Sequence, residues 1–158
     1  MPFIHLTTFI AAPKERVFDL SRSVDLHKAS MKKYGEEIID GVMSGLVQLN
    51  DSITWKAKHL FRQRVFKSRV TAFQLHDFFV DEQEKGDFTM YKHEHYFKQI
   101  GNGTIMIDQC HFETPYGIVG RLVNNIHLTK YMAALLAERN KRIKETAESN
   151  LWKQYLSE

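Results

Sequence analysis

Residues 91–97 read YKHEHYF, two histidines two positions apart in a run of strand-forming residues. Side chains alternate along a strand, so Tyr91, His93, His95 and Phe97 share one face and Lys92, Glu94, Tyr96 and Lys98 the other. The second set suits water, and the histidines are predicted to point inward with the aromatics. Imidazoles facing an interior can hold a metal, move protons, orient a bound molecule or complete a buried polar network.

The following run, GTIMIDQCHFET at 103–114, places Met106, Asp108, Cys110 and Phe112 on one face, and its apolar members make that face the inner one. Gly101-Asn102-Gly103 between the two runs is a hairpin signal. Counting back from it sets His95 and Asp108 opposite one another, about 5 Å apart across an antiparallel ladder. A lone buried carboxylate is costly. A His–Asp hydrogen bond is therefore expected, with the other histidine facing the interior space.

Four roles stay open for this cluster. Two histidines and a carboxylate are metal-ligand types, but His-x-His supplies only two donors and a third at proper geometry is an assumption. No metal and no cofactor is assigned. A His–Asp couple in an apolar pocket can move protons, although no nucleophile or oxyanion hole is legible. As polar anchors, the three would orient one functional group inside a greasy cavity. The last role is purely structural.

The elements that must position these residues follow from periodicity. Residues 3–10 alternate Phe3/His5/Thr7/Phe9 against Ile4/Leu6/Thr8/Ile10, as a first strand does. Pro13 suits the first turn of a helix, and short helices are predicted near 13–20 and 22–28. Strand-like runs follow at 36–45, 49–61, 63–77, 77–85, 86–100 and 103–114. After Pro115 the period changes: Ile118, Leu122, Ile126, Met132, Leu135, Leu136, Ile143 and Ala147 recur at helical spacing. A helix from about 116 to 150 would be about 50 Å long, with a break or a bend near Asn124-Asn125. Strand, two helices, six strands and one long amphipathic helix define an α+β fold, an antiparallel sheet with the long helix on one face. PYGIVG at 115–120 reads as a tight strand-to-helix junction, and no Lys-Ser/Thr follows to make it a phosphate loop.

Composition narrows the class further. A chain of 158 residues suits a single domain over 1–158. Its net charge of +3 comes from scattered basic residues, with no clustered basic face for nucleic acid. One cysteine, Cys110, excludes an internal disulfide and fits a reducing compartment. No apolar run is long enough to span a bilayer, so no integral membrane association is expected. The N-terminal stretch lacks a basic n-region and is broken by His5, Thr7 and Thr8, so a cytoplasmic location is expected.

Four stretches carry a resemblance. APKERVFDL at 12–20, GVMSGLVQLNDSITWKAKH at 41–59, GDFTMYKHEHYF at 86–97 and TIMIDQCHFETPYGIVGRL at 104–122 resemble, in order, motifs of the START/Bet v 1-like (SRPBCC) superfamily. The third carries its G-x-F…H-x-H-x-F strand. Asn50 departs from the pattern, standing where the family often has glycine. The resemblance covers nearly the whole chain and implies a helix-grip fold: a curved antiparallel sheet of about seven strands around a long C-terminal helix, with a deep cavity between. The superfamily includes lipid and sterol carriers, hormone receptors, quinone-binding chaperones and polyketide aromatase/cyclases, so the fold alone does not hand over a function.

The resulting expectation is a protein that binds a small apolar or amphipathic molecule, with His93, His95 and Asp108 as polar anchor. Trp55, Tyr91, Phe97, Met106, Cys110, Phe112, Ile118, Leu122 and Met132 are the expected remainder of the ligand wall. The alternative is a polyketide cyclase or dehydratase using the same three residues as acid and base. Arg62, Arg64, Lys67 and Arg69 are read as outer-face residues serving solubility.

Overall fold

The computed structural model describes residues 2–115 and 118–156, and in residues 118–125 the backbone alone. Strand β1 (Phe3–Ile10) leads into helices α1 (Lys14–Ser21) and α2 (Val24–Ser30). Six strands follow: β2 (Glu37–Gly41), β3 (Ser52–His59), β4 (Arg62–Gln74), β5 (Phe78–Lys85), β6 (Met90–Ile100) and β7 (Gly103–Glu113). Helix α3 (Ile118–Ala147) closes the fold as one unbroken element, so the expected interruption at Asn124-Asn125 does not divide it. All seven strands form one antiparallel sheet in the order β1-β7-β6-β5-β4-β3-β2. The last six thus form a meander, and β1 returns to lie beside the final strand.

Alternation sets the faces as the sequence implied. His93, His95 and Phe97 of β6 are buried, as are Met106, Asp108, Cys110 and Phe112 of β7, while their sequence neighbours are less enclosed. Register slips in β2 and β4 break the ladder and bend the sheet.

The short helices plug one end. Ser23 caps α2 by accepting from the Leu26 N–H at 3.2 Å. Phe18 of α1, fully buried, meets Phe73, Phe79 and Phe97 edge-on, with ring centroids 5.1 to 5.7 Å apart. A smaller apolar cluster joins Ile4, Cys110 and Phe112 of the sheet to Leu136 of α3.

Two turns differ from expectation, and a third, at the polar Leu49-Asn50-Asp51 break, falls where the sequence places it. β2 ends at Gly41 rather than continuing to residue 45. Gly41 has φ 90°, and a Cβ there would lie 2.1 Å from the Ser52 carbonyl oxygen, so only glycine fits. Asn50 adopts φ 71°, a left-handed conformation that asparagine tolerates almost as glycine does. The β3–β4 connection is Leu60-Phe61, at φ 51° and 65°. Two-residue hairpin turns of that shape favour Asn-Gly. Leu60 and Phe61 give no turn signal, and for that reason the strand was expected to run through them.

Candidate functional site

Between the sheet and α3 lies a cavity of about 540 Å³. Its walls are mostly apolar, with Ile53, Trp55, Val70 and Phe79 from the sheet facing Leu135 and Leu136 from the helix. One wall is polar. His93 and His95 enter it side by side, their rings 3.8 Å apart, and His95 stacks on Phe79 at 4.1 Å.

The ladder places His95 directly opposite Asp108, but the hydrogen bonds cross. His93 Nε2–H donates to Asp108 Oδ1 at 2.8 Å, because an ionised carboxylate can only accept. His95 turns its Nε2–H the other way, to Asp81 Oδ2 on β5 at 2.9 Å. His95 Nδ1 approaches Asp108 Oδ1 to 3.3 Å without the alignment a hydrogen bond needs, and is enclosed without a partner. The expected His–Asp bond therefore exists with His93 in place of His95.

Helix α3 completes the cluster from the far side. Asn140 Nδ2 donates to Asp108 Oδ2 at 2.6 Å, and the Arg139 guanidinium stands 3.7 Å from Oδ1. Arg139 is itself held by the Ser21 carbonyl at 3.0 Å and by Asn140 Oδ1 at 3.1 Å. Asp108 is 0 % exposed, so each of these partners offsets the cost of enclosing its charge.

Burial and neighbours set the charge states. Burial pushes the His93 pKa down, His95 beside it adds to the effect, and Asp108 opposes it only in part, leaving about 4. His93 is thus neutral at pH 7. Burial pushes Asp108 up, but the hydrogen bond from His93 and the electrostatic pull of the two imidazoles outweigh it and hold the carboxyl well below its ordinary range. Asp81 is lowered in the same way, its burial overcome by the His95 bond. The 27 % of the Asp81 side chain that remains open faces the cavity.

His93, His95 and Asp108 each offer one donor atom, all within 4.8 Å of one another, the ligand types of a divalent metal site. Their surroundings fit such an ion poorly. Asp108 already accepts from His93 and Asn140, and the Arg139 cation stands beside it. An ion would have to displace that network.

The other expected wall residues divide. Trp55, Tyr91 and Met132 line the cavity. Asp108 lies behind the histidines, not on the wall. Phe97 and Met106 belong to the packed core around Phe18, and Cys110 and Phe112 to the smaller cluster. These four are core packing, since each points inward where the sheet is covered by α1 or by the body of α3. Burial raises the Cys110 pKa to about 12, so the thiol stays protonated. The side chains of Ile118 and Leu122, and residues 116 and 117 of the junction, lie outside the described residues. Arg64, expected on the outer face, instead lines the cavity and pairs with Asp87.

Sequence reasoning missed Asp81, Arg139 and Asn140, although a signal existed for each. Asp81 shares its strand face with Phe79. Arg139 and Asn140 follow Leu135 and Leu136 by four residues, polar positions on the apolar stripe of α3.

No protein-family model matches the chain, and no curated protein matches it. Solved structures do. An aromatase/cyclase of Streptomyces, Zhui, superposes with a TM-score of 0.74 at 12% identity, over 92% of this chain and 93% of that one. A Thermus thermophilus protein gives 0.71 at 18% identity, over 92% and 99%. A START superfamily protein of Mycobacterium smegmatis gives 0.68 at 16% identity, over 94% and 98%. The likeness is one of fold: the chain has the START/Bet v 1-like helix-grip architecture. No described helix is long and apolar enough to cross a membrane.

Proposed function

We propose that the protein binds and carries a small, mostly apolar molecule in the cavity between sheet and α3. The observation that carries this reading is the contrast within that cavity, apolar over most of its lining with preorganised polar groups set into it, His93, His95 and Asp81 foremost. Apolar burial supplies the affinity, at about 25 cal/mol per Å² removed from water. Of a carbonyl, a hydroxyl and a carboxylate on the ligand, the polar wall selects the hydroxyl, the one with a proton to donate. His93 Nε2 is committed to Asp108, so its Nδ1 is the ring nitrogen left for a ligand, and the open part of Asp81 lies beside it. Fold neighbours named as a START superfamily protein and an aromatase/cyclase accord with an internal-cavity function.

Native mass spectrometry of protein purified from its own host tests the reading. A retained small organic molecule is expected, lost or weakened in His93→Ala and His95→Ala. A protein that returns empty, with both variants unchanged in stability, would remove the basis for it. The neutral His93 hydrogen-bonded to an ionised Asp108 also favours a second reading, an acid–base catalyst of the cyclase or dehydratase type. A carrier returns a polyketide substrate unaltered, whereas a catalyst converts it.

A further inference from the structure

A second polar group enters the same cavity. Glu36, just before β2, accepts from His27 Nε2–H at 2.9 Å through Oε2 and from His59 Nε2–H at 3.4 Å through Oε1. On the other side of the His59 ring, Nδ1 accepts the Tyr131 hydroxyl proton at 2.8 Å. The side chains come from α2, the loop before β2, the end of β3 and α3, and all four line the cavity.

The chemistry of this group runs in one direction. Burial raises the Glu36 pKa, but the hydrogen bonds from His27 and His59 outweigh it and leave about 2, so Glu36 is ionised and only accepts. It therefore accepts a hydrogen bond from His59 Nε2–H, which leaves the lone pair on Nδ1 to accept one from the Tyr131 hydroxyl. The Tyr131 oxygen faces the Leu60 backbone N–H and keeps a second lone pair able to accept. A molecule in the cavity that donates a proton to that oxygen would complete the chain.

The polar wall makes the same demand. His93 Nδ1 and the open oxygen of Asp81 both accept. Tyr131 on α3 stands eight residues before Arg139, which marks the first group through its approach to Asp108. At 1.5 Å per residue Tyr131 and Arg139 are about 12 Å apart along the helix, and that spacing sets the scale of the separation between the two groups. Met132, Leu135 and Leu136 face the cavity in the interval between them. At both ends the atoms left open accept, and an ionised carboxylate on the ligand has no proton to give to either one.

We propose that Tyr131, set by His59 and Glu36, is a second ligand-binding station. The ligand class that follows is an uncharged, elongated apolar molecule carrying a hydroxyl at each end, about 12 Å apart. This inference rests on the carrier reading, and the experiment separates the two.

Three probes serve: a stilbene with a hydroxyl on each terminal ring carbon, the same stilbene with one hydroxyl, and stilbene itself. Fluorescence titration of the full chain should show the doubly hydroxylated probe binding about tenfold more tightly than the singly hydroxylated one, the gain of one further hydrogen bond. Tyr131→Phe should bring that ratio close to one. If that variant does not fold, His59→Leu, which removes the acceptor orienting Tyr131, should lower the ratio as well. Equal binding of the two hydroxylated probes, or a ratio that survives both variants, would overturn the second station and leave the carrier reading standing. Failure of all three probes to bind would overturn both.

Discussion

His93 Nε2 lies 2.8 Å from Asp108 Oδ1 although the residue facing Asp108 across the ladder is His95. The diagonal choice frees His95 to reach Asp81, so two imidazoles share two carboxylates without competing for one. It also binds β5, β6, β7 and, through Asn140 and Arg139, α3 into one network.

Asp108 is therefore structural before it is anything else. Asp108→Leu should destabilise the fold by about 3 to 5 kcal/mol, because it leaves the buried Arg139 without its carboxylate. Urea unfolding measures this. A loss under 1 kcal/mol would show that Arg139 finds water or another acceptor at no cost.

The lowered His93 pKa has a definite sign. Below pH 6.5 the unfolded chain takes up a proton that the folded chain refuses until about pH 4. Stability should thus fall as pH drops through that window, by on the order of 3 kcal/mol at its lower end. His93→Gln keeps a donor for Asp108 and removes the titration. The unfolding free energy of this variant should vary less with pH between 6.5 and 4 than that of the parent.

Glu36 acts in a lower window. Its folded pKa of about 2 lies beneath the ordinary 4.5, so its contribution is present above pH 4.5 and is lost as pH falls toward 2. Glu36→Gln should cost on the order of 3 kcal/mol at neutral pH and almost nothing at pH 2. Chemical unfolding at the two pH values compares them directly.

Leu60 and Phe61 hold left-handed backbone conformations, and Phe61 is 96 % exposed. Replacing the pair with Asn-Gly should raise stability by about 1 to 2 kcal/mol, since the turn then takes the residues its geometry favours. An upward shift of the thermal midpoint is the expected result. A downward shift would mean that the two side chains make stabilising contacts the folded chain depends on.

Cys110 is fully buried, with its pKa pushed up to about 12. A thiol reagent should leave it unmodified in the folded protein and react at once after denaturation.

How much of this was legible follows from the kind of signal each feature leaves. Alternation along β6 and β7 fixed the inward phase of His93, His95 and Asp108, and the Gly101 turn fixed the register opposite His95, because both depend on counting alone. The hydrogen-bond partner could not be counted. It depends on side-chain rotation, and rotation sent His93, not His95, to Asp108. The Asp81 contribution required knowing that β5 lies beside β6, a fact of tertiary pairing. The Glu36, His27, His59 and Tyr131 group draws on residues spread from position 27 to 131, and no local pattern joins them. Core and wall were also inseparable by sequence: Phe97 and Trp55 share the same alternation, and only the placement of α1 decides that one is covered and the other faces the cavity.

The strand order has a consequence for how the molecule is made. Phe3 pairs with His111, so β1, synthesised ahead of the other six strands, meets its one sheet neighbour among the described residues only after those strands are made. While residues 4–102 leave the ribosome, β2 through β6 can zip together hairpin by hairpin, each with a partner close in sequence. The amino-terminal segment has none, and its unpaired edge stays available to other chains until β7 emerges. Any delay in translation near residues 103–113 would lengthen that exposure, and the chain's risk of aggregation is greatest there.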